Sequence, residues 1–351
     1  MRIKTKHFKI ITSALIVFAT VACNDYSKSP YPSISFQSIS SMPDNGRASA
    51  VAWSIDGKGY VALGRSNEKS KIKGGARTQL RDCWSYDPTT DQWTRIADFP
   101  DTPRVKAIAA VVNRKAYVGL GYDIEKIFST DGGDNKPANL RHFWCYDPTT
   151  NKWTQMADFP SSASNACVSA VINNEIFIAS GFDGTRFTKE FWSYNTLANK
   201  WTEHTKGGYW SPRSSPVFIS NNKHTFFGTG FMGNIFNDWW EYLPDSKTWK
   251  RRKSMPDNGR TNGLGFSVGE RFFVSTGRHT GGDLTGGKLF SDLVEYDVNK
   301  DAWYNRGVLP DGGRENAVSF VINDTVYIGC GENSVLNDEN QVLKNFWKFN
   351  P

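Results

Sequence analysis

Residues 84–93 read Trp-Ser-Tyr-Asp-Pro-Thr-Thr-Asp-Gln-Trp, and residues 144–153 repeat the pattern as Trp-Cys-Tyr-Asp-Pro-Thr-Thr-Asn-Lys-Trp. The central Asp-Pro-Thr-Thr is a run of turn formers, and aromatic residues flank it on both sides. Such a stretch is typical of a hairpin between two strands whose aromatic side chains are partly buried. We therefore predict an antiparallel hairpin at each copy.

The hairpin spacing recurs along the chain. In five segments a Tyr is followed by a Trp seven residues later. The five pairs are Tyr86 and Trp93, Tyr146 and Trp153, Tyr194 and Trp201, Tyr242 and Trp249, and Tyr296 and Trp303. Self-similarity at a nearly fixed period indicates a repeat architecture.

A second spacing defines the other half of each repeat. An Arg is followed by an aromatic residue 13 positions later and by a Gly four positions after that. The sets are Arg47-Tyr60-Gly64, Arg104-Tyr117-Gly121, Arg213-Phe226-Gly230, Arg260-Phe273-Gly277 and Arg314-Tyr327-Gly331, with Ser164-Phe177-Gly181 in the same register. Apolar runs with short polar turns separate these positions, so each repeat is predicted as a meander of four short strands rather than a helical unit.

The last repeat lacks a fourth strand, because the chain ends shortly after Phe349. Phe36 lies 11 residues before Arg47, just as each hairpin Trp lies 11 or 12 residues before the next Arg position. We predict that residues 36–39 supply the missing strand, which would remove the open edges of a linear array. Residues 34–351 are thus predicted to form one all-β, six-bladed β-propeller.

Across residues 34–351 the pattern of Arg, apolar strand, Tyr-x-x-x-Gly, aromatic-x-Tyr-Asp-Pro and Trp resembles the kelch repeat. The Gly-Gly pair of that family is replaced here by one Gly after another residue, as in Leu63-Gly64 and Cys330-Gly331. Kelch proteins include scaffolds, peptide-binding modules, galactose oxidase and bacterial sialic acid mutarotases, so the resemblance implies the fold and leaves the function open.

Composition excludes several classes of protein. The chain of 351 residues contains 23 Phe, 13 Trp and 13 Tyr, which is too aromatic for a disordered chain. It contains one long apolar run, which excludes a polytopic membrane protein. The formal charge is +7, and four of these charges lie in the first 23 residues, which leaves +3. Bulk charge therefore gives little support to nucleic-acid binding, and no nucleic-acid partner is expected.

The first residues have the layout of an export signal. Residues 1–9 are basic, residues 10–21 are apolar, and the run ends at Thr20-Val21-Ala22-Cys23. We predict a signal peptide at 1–23 with a lipidated Cys23. The alternative is an ordinary secretory signal. Residues 24–33 are predicted to form a solvated tether. This predicts a bacterial cell-envelope lipoprotein, on the periplasmic or cell-surface side of the outer membrane, that contacts the membrane only through its lipid.

Strand parity predicts which face carries the site. The Arg positions begin the first strands and the Gly positions end the second strands, so both lie at one face with the loops that follow each Gly. Those loops are long in blades five, six, one and two and short in blades three and four. We predict a cleft on this face, walled by the long loops, because functional variation concentrates in loops on a rigid scaffold.

The chemistry of this face is predicted to be cationic. Guanidinium groups match carboxylate or phosphate oxygens, so we expect an acidic small molecule or glycan as ligand, with a protein segment as an open alternative. The predicted ligand-binding residues are Arg47, Arg65, Arg104, Arg213, Arg260, Arg278, Arg314, Asp123, Asp183 and Tyr122. The alternative role for these arginines is to bond neighbouring carbonyls and carboxylates within the fold.

Three residues are candidates for acid–base catalysis: Glu315, Glu332 and His279. The same carboxylates could instead neutralise the arginines. The resemblance to sialic acid mutarotases implies a cofactor-free enzyme in which Arg holds the sugar carboxylate and Glu315 or Glu332 moves the proton. No metal or cofactor is expected, because the five His show no ligand spacing. Cys83, Cys145, Cys167 and Cys330 are expected to be small buried residues, and their redox state stays open.

Overall fold

The computed structural model describes residues 26–69, 77–125, 138–162, 164–204, 209–221, 223–280, 287–333 and 342–351. The predicted signal peptide and Cys23 therefore lie outside the described residues, as do the tips of the long loops after Gly64, Gly121, Gly277 and Gly331. Among the described residues, no helix has the length and apolar character that crossing a bilayer requires.

The strands are numbered along the chain, beginning with β1 (Gln37–Ile39). Blade one contains β2 (Val51–Ile55), β3 (Lys58–Ala62), β4 (Arg65–Lys69), β5 (Arg77–Gln79), β6 (Cys83–Asp87) and β7 (Gln92–Ile96). Blade two contains β8 (Ile108–Val112), β9 (Lys115–Gly119), β10 (Tyr122–Asp123), β11 (Ala138–Asn139), β12 (Phe143–Asp147) and β13 (Lys152–Gln155). Blade three contains β14 (Val168–Ile172), β15 (Glu175–Phe182), β16 (Phe187–Asn195) and β17 (Lys200–Glu203).

The second half of the chain repeats this organisation. Blade four contains β18 (Val217–Ser220), β19 (Thr225–Gly228), β20 (Phe231–Met232), β21 (Asn234–Ile235), β22 (Trp239–Leu243) and β23 (Thr248–Arg252). Blade five contains β24 (Leu264–Val268), β25 (Arg271–Ser275), β26 (Arg278–His279), β27 (Lys288–Leu289), β28 (Asp292–Asp297) and β29 (Ala302–Val308). Blade six contains β30 (Val318–Ile322), β31 (Thr325–Gly329) and β32 (Phe346–Phe349).

The predicted all-β, six-bladed propeller is confirmed. Each blade is a four-stranded antiparallel sheet, and the first strands β2, β8, β14, β18, β24 and β30 contact one another in a closed ring. The pairs β4–β5, β10–β11, β20–β21 and β26–β27 form separate two-stranded ribbons in the loops after the Gly positions. These ribbons stand on the face that also carries the Arg positions.

The predicted closure is also confirmed. Strand β1 pairs with β32 and completes blade six in the order β1-β32-β31-β30. Its register places Gln37 opposite Lys348 and Ile39 opposite Phe346. The Phe36 ring packs edge-on against Phe349 at a centroid distance of 4.9 Å, which adds an aromatic contact to the backbone pairing.

The hairpin Tyr and Trp connect neighbouring segments of the ring. In blade one, Tyr86 donates its hydroxyl to Asp91 at 2.8 Å, and Asp91 also accepts the Ser40 amide at 3.0 Å. The indole of Trp93 donates to the Ser40 carbonyl at 2.9 Å. Blades two, three and five repeat this geometry with Asn151, Asn199 and Asp301 as the acceptors of the Tyr hydroxyl. The invariant Tyr-to-Trp spacing thus reflects one interlocking contact used four times.

The glycines form the junction between successive blades. Each Gly amide donates to the carbonyl of the Arg position of the next blade at 2.7 to 3.0 Å. The six donor and acceptor pairs are Gly64 and Arg104, Gly121 and Ser164, Gly181 and Arg213, Gly230 and Arg260, Gly277 and Arg314, and Gly331 and Arg47. The hydrogen bonds therefore close a complete circle around the axis.

Residues 26–33 pack differently from the predicted solvated tether. Ser27 forms a parallel bridge with Tyr304 in β29, and Arg306 donates to the Pro32 carbonyl at 3.0 Å. The guanidinium groups of Arg271 and Arg306 lie 4.8 and 4.9 Å from the Tyr31 ring centroid. This segment is held against the outer strand of blade five by hydrogen bonds and cation–π contacts.

The four cysteines are buried free thiols, as expected. Burial raises the pKa of the Cys83 and Cys167 thiols to about 12. These side chains therefore act as small apolar groups in the blade interiors.

Gly121→Ala should destabilise the propeller by about 3 kcal/mol, whereas Gly57→Ala should cost only about 1 kcal/mol. Both glycines have positive φ, +79° for Gly121 and +76° for Gly57. A Cβ on Gly121 would lie 2.4 Å from the Val105 carbonyl oxygen, whereas a Cβ on Gly57 meets no atom within 4 Å. Denaturant unfolding of the two variants measures the difference, and equal losses would contradict the assigned role of the junction.

Candidate functional site

The five repeated arginines are fully buried, with 0% exposure. Each guanidinium donates to the carbonyl of the residue just before the Gly of its own blade, at 2.8 to 3.2 Å. The pairs are Arg47 and Leu63, Arg104 and Leu120, Arg213 and Thr229, Arg260 and Thr276, and Arg314 and Cys330. All five acceptor residues have positive φ, so the arginine holds a tight bend that places the Gly.

Aspartates complete the environment of these arginines. Arg260 lies between Asp257 and Asp292, with Nη2 2.8 Å from the Asp292 carboxylate, and Arg47 lies between Asp44 and Asp82 in the same way. Burial opposes the charge of Arg260, but the two carboxylates outweigh it and raise its pKa. The remaining ion pairs join Arg104 to Asp101, Arg213 to Asp238 and Arg314 to Asp311.

These positions correct the prediction that Arg47, Arg104, Arg213, Arg260 and Arg314 face a shared opening. The structure instead encloses all five and pairs them within their own blades, because a buried guanidinium must find acceptors. Their bonding matches the alternative role stated for them. The repeated arginines therefore stabilise the blades, and the candidate site consists of residues that do not repeat from blade to blade.

Three further predicted residues have local partners. Asp123 is 7% exposed and accepts the Gln79 amide at 2.7 Å. Asp183 caps its own turn: burial raises its pKa, but hydrogen bonds from the Arg186 and Thr185 amides outweigh this and lower the pKa to about 2. His279 places Nδ1 3.1 Å from the Gly259 carbonyl, so this hydrogen bond joins the ring to the backbone.

Glu315 and Glu332, in contrast, lie directly opposite each other. Their backbones form an antiparallel bridge with two hydrogen bonds of 3.0 Å. Such a pair places the two Cα atoms about 5.5 Å apart and points both side chains to the same face. Both residues are only 6% exposed.

An arginine pairs with each of these glutamates. The Arg278 guanidinium is 2.7 Å from Glu315, and the Arg65 guanidinium contacts Glu332 directly. Arg65 and Arg278 occupy the position after the Gly in blades one and five, and they flank blade six, which carries both glutamates. Four of the predicted site residues are therefore brought together.

The centre of this face carries residues that the sequence did not suggest. Two positions after each Arg position, the chain adopts positive φ in all six blades, and five backbone hydrogen bonds join these residues around the axis. The six residues are Ser49, Lys106, Ala166, Ser215, Asn262 and Asn316. Lys106 is the one charged residue of this axial ring.

The Lys106 ammonium connects the axial ring to the two glutamates. It donates to Asn262 Oδ1 at 2.6 Å and to Asn316 Oδ1. Asn262 Nδ2 donates to Glu315 at 2.7 Å, and Asn316 Nδ2 donates to Glu332 at 2.6 Å. One hydrogen-bonded network therefore runs across four blades. Its members in order are Arg278, Glu315, Asn262, Lys106, Asn316, Glu332 and Arg65.

A cavity of about 120 Å³ lies on the axis. It is lined by the axial ring and by the small residues that follow it, including Ala50, Ala107, Gly263 and Ala317. Burial lowers the pKa of Lys106 to about 8, although Glu315 and Glu332 act in the opposite direction. The cavity therefore carries an ammonium group that can lose its proton at mildly alkaline pH.

The other half of the face is aromatic. The residues after the Gly positions of blades two, three and four are Tyr122, Phe182 and Phe231, and all three are half-buried. Burial raises the pKa of Tyr122, and Arg65 and Glu332 are near enough to influence it. Tyr122 thus joins the charged and aromatic halves. The cleft predicted between the long loops depends on residues outside those that the structure describes.

Sequence reasoning missed Lys106, Asn262, Asn316 and Ser215. They could have been found from their position, because each lies two residues after a repeated arginine: Arg104, Arg260, Arg314 and Arg213. Aligning the six repeats on the Arg position would have shown one lysine and two asparagines at equivalent places. Among the described residues, no group of three His, Cys, Asp or Glu side chains could hold a metal ion.

Comparisons with known proteins concern the repeats and the fold. The KLHDC2/KLHL20/DRC7 Kelch-repeats domain matches residues 127–277, and the Kelch motif matches residues 72–100. The N-acetylneuraminate epimerase of Pasteurella multocida (strain Pm70) is 24% identical over 268 residues, which is 67% of this chain and 55% of that protein. Kelch-like protein 25 of Xenopus tropicalis is 26% identical over 221 residues, 63% of this chain and 33% of that protein.

The structure of YjhT superposes with a TM-score of 0.71 at 16% identity, covering 88% of this chain and 96% of that one. At this identity the likeness concerns the fold. The chain spans between a third and just over half of the length of the two curated relatives. The protein is therefore a six-bladed β-propeller by its fold. The protein is a kelch-repeat β-propeller that resembles the N-acetylneuraminate epimerases, which confirms the resemblance seen in the sequence.

Arg260→Met should lower the free energy of unfolding by about 3 to 5 kcal/mol, because it leaves Asp257 and Asp292 buried without a counter-charge. Arg114→Met is the matched control: this arginine also pairs with an aspartate, Asp56, but its side chain is 76% exposed. The control should change stability by less than about 1 kcal/mol. Similar values for the two variants in denaturant unfolding would argue against a structural role for the buried arginines.

Proposed function

We propose that this propeller binds an acidic sugar on the face that carries the Lys106 network. The observation that carries the proposal is the pairing of Glu315 with Glu332 across one backbone bridge, with Arg65 and Arg278 on either side. These groups are largely enclosed, so their charges interact more strongly than they would on an open surface. Charge-assisted hydrogen bonds from cationic groups in such a place favour an anionic ligand.

The division of this face into two halves supports a sugar rather than an inorganic anion. Blades five, six and one contribute the charged residues, whereas Tyr122, Phe182 and Phe231 contribute aromatic surface. A sugar acid has the matching character, since its carboxylate can meet a cationic side chain of this face while the apolar side of its ring packs on an aromatic side chain. The N-acetylneuraminate epimerases among the relatives act, by their name, on a sugar of this kind.

A second candidate function is the interconversion of the two anomers of such a sugar. The reaction needs a base that accepts the proton of the anomeric hydroxyl and an acid that donates a proton to the ring oxygen, so that the ring carbon–oxygen bond breaks and can re-form on the other face. The facing carboxyl groups of Glu315 and Glu332 can divide these two roles. The observation that favours this candidate is their shared orientation on one bridge.

Proton NMR of N-acetylneuraminate tests both candidates in one sample. The wild-type protein should transfer saturation to the sugar, and it should accelerate exchange between the anomer signals. Arg65→Met should weaken binding about tenfold, because the face loses a positive charge that attracts the ligand carboxylate. Glu315→Gln should preserve binding while slowing catalysed exchange by about 100-fold, since the amide cannot transfer the proton.

Glu203→Gln is the control, because Glu203 is an exposed residue of β17 and should affect neither signal. Binding without accelerated exchange would remove the enzymatic candidate and leave a binding module. Equal binding of the neutral sugar N-acetylmannosamine would contradict an acidic ligand. If the protein neither binds the sugar nor accelerates its exchange, both candidate functions are ruled out.

We also propose that the protein is an exported lipoprotein of a bacterial cell envelope, attached through Cys23. The basic residues 1–9, the apolar residues 10–21 and the small residues before Cys23 support this proposal. Several acyl chains on one cysteine are needed for stable attachment, because a single chain binds a membrane only weakly.

Expression in a Gram-negative host with radiolabelled palmitate should label the wild-type protein and leave Cys23→Ser unlabelled. The wild-type protein should sediment with membranes, whereas the variant should not. Cys83→Ser is the control, since that thiol is buried in blade one and should not affect labelling. Unlabelled wild-type protein recovered in soluble form would favour the ordinary secretory signal.

A further inference from the structure

The Lys106 ammonium is held on the axis by neutral groups. Its hydrogen bonds lead to Asn262 Oδ1 at 2.6 Å, to Asn316 Oδ1 and, at 3.5 Å, to Ser215 Oγ. An ammonium carries three N–H donors, and the contact with Ser215 is too long to occupy the third one well. Lys106 therefore has two strong acceptors and one weakly used donor.

An asparagine side chain lies between the Lys106 ammonium and each of the two glutamates of the network. Glu315 and Glu332 are each bonded to an asparagine amide that in turn accepts from the ammonium. Both glutamates also have an arginine on their other side, Arg278 for Glu315 and Arg65 for Glu332. A partly buried cation whose direct partners are all neutral is unfavourable, and a carboxylate in contact with it would relieve that cost.

The axial cavity has the size for such a group. Its volume of about 120 Å³ approaches that of engineered cavities of about 150 Å³ that bind a small ligand, so a carboxylate group fits. Ser49, Ser215 and the asparagines offer further polar contacts, and the small residues Ala107 and Gly263 leave the space open.

We propose that the axial cavity is a carboxylate-binding site in which the third N–H of Lys106 donates to the carboxylate of the acidic ligand. One part of this inference rests on the proposed function, namely that the carboxylate in the axial cavity is that of the acidic sugar. The sugar ring would then lie outside the cavity, against the aromatic half of the face. The site itself requires only a carboxylate, so acetate serves as the probe.

Binding of a carboxylate favours the charged ammonium, so it should raise the pKa of Lys106 from about 8. The charged groups that already influence Lys106 are Glu315, Glu332 and Arg65. Because the charged lysine is required, affinity for acetate should fall about tenfold for each pH unit above the midpoint of Lys106 in the free protein.

The test uses full-length protein in which lysine carries carbon-13 at the ε position. The Lys106 resonance is assigned by its loss in Lys106→Arg and by its contacts with the Asn262 and Asn316 amides. Acetate should raise its titration midpoint by about one pH unit relative to the neutral isostere acetamide in the same salt background. Lys115, which is exposed and pairs with Asp147, is the internal control and should not respond.

An identical midpoint in acetate and acetamide would overturn the proposal, even if N-acetylneuraminate binds elsewhere on the face. A midpoint raised by acetate but not by N-acetylneuraminate would support the carboxylate site and contradict the seating of the sugar carboxylate on the axis. A midpoint raised by both would support the two together. In that case Lys106→Met should weaken sugar binding at least tenfold, whereas Lys115→Met should leave it unchanged.

Discussion

Six hydrogen bonds from glycine amides to carbonyls of the next blade hold the inner ends of the blades in a ring. Each requires two successive residues at positive φ, as at Leu63 and Gly64, and a backbone approach that leaves no room for a Cβ. In five blades the buried arginine bonds the first of these two residues, so the arginine and the junction form one unit. The functional face depends on this unit, because the residues after each Gly project from it.

The fold also separates structural from functional residues by symmetry. A residue with a structural role recurs from blade to blade, as the arginines at 47, 104, 213, 260 and 314 do in five of the six blades. A residue that serves one ligand breaks the repeat. Lys106 stands where other blades carry Ser, Ala or Asn, and Glu332 stands where others carry Arg, Tyr or Phe. In a pseudo-symmetric propeller, departures from the repeat therefore identify the candidate site better than the repeat itself.

The charged residues that differ from their equivalents in other blades cluster on one side of the axis. Arg278, Glu315, Glu332 and Arg65 come from three consecutive blades, and Lys106 from blade two extends the network across the centre. The opposite side is aromatic through Phe182 and Phe231. The face therefore has a polar and an apolar half, which favours a ligand with the same division.

The sequence by itself determined the six blades and their closure. Local turn chemistry sets the Tyr-to-Trp and Arg-to-Gly spacings, and the unpaired edge of the last repeat requires the strand near Phe36. It also placed Glu315, Glu332, Arg65 and Arg278 on one face through strand parity. Only the tertiary structure decided which charges meet. Burial and pairing depend on contacts between blades, so Arg260 was enclosed while Lys106, unremarkable in the chain, came to lie on the axis.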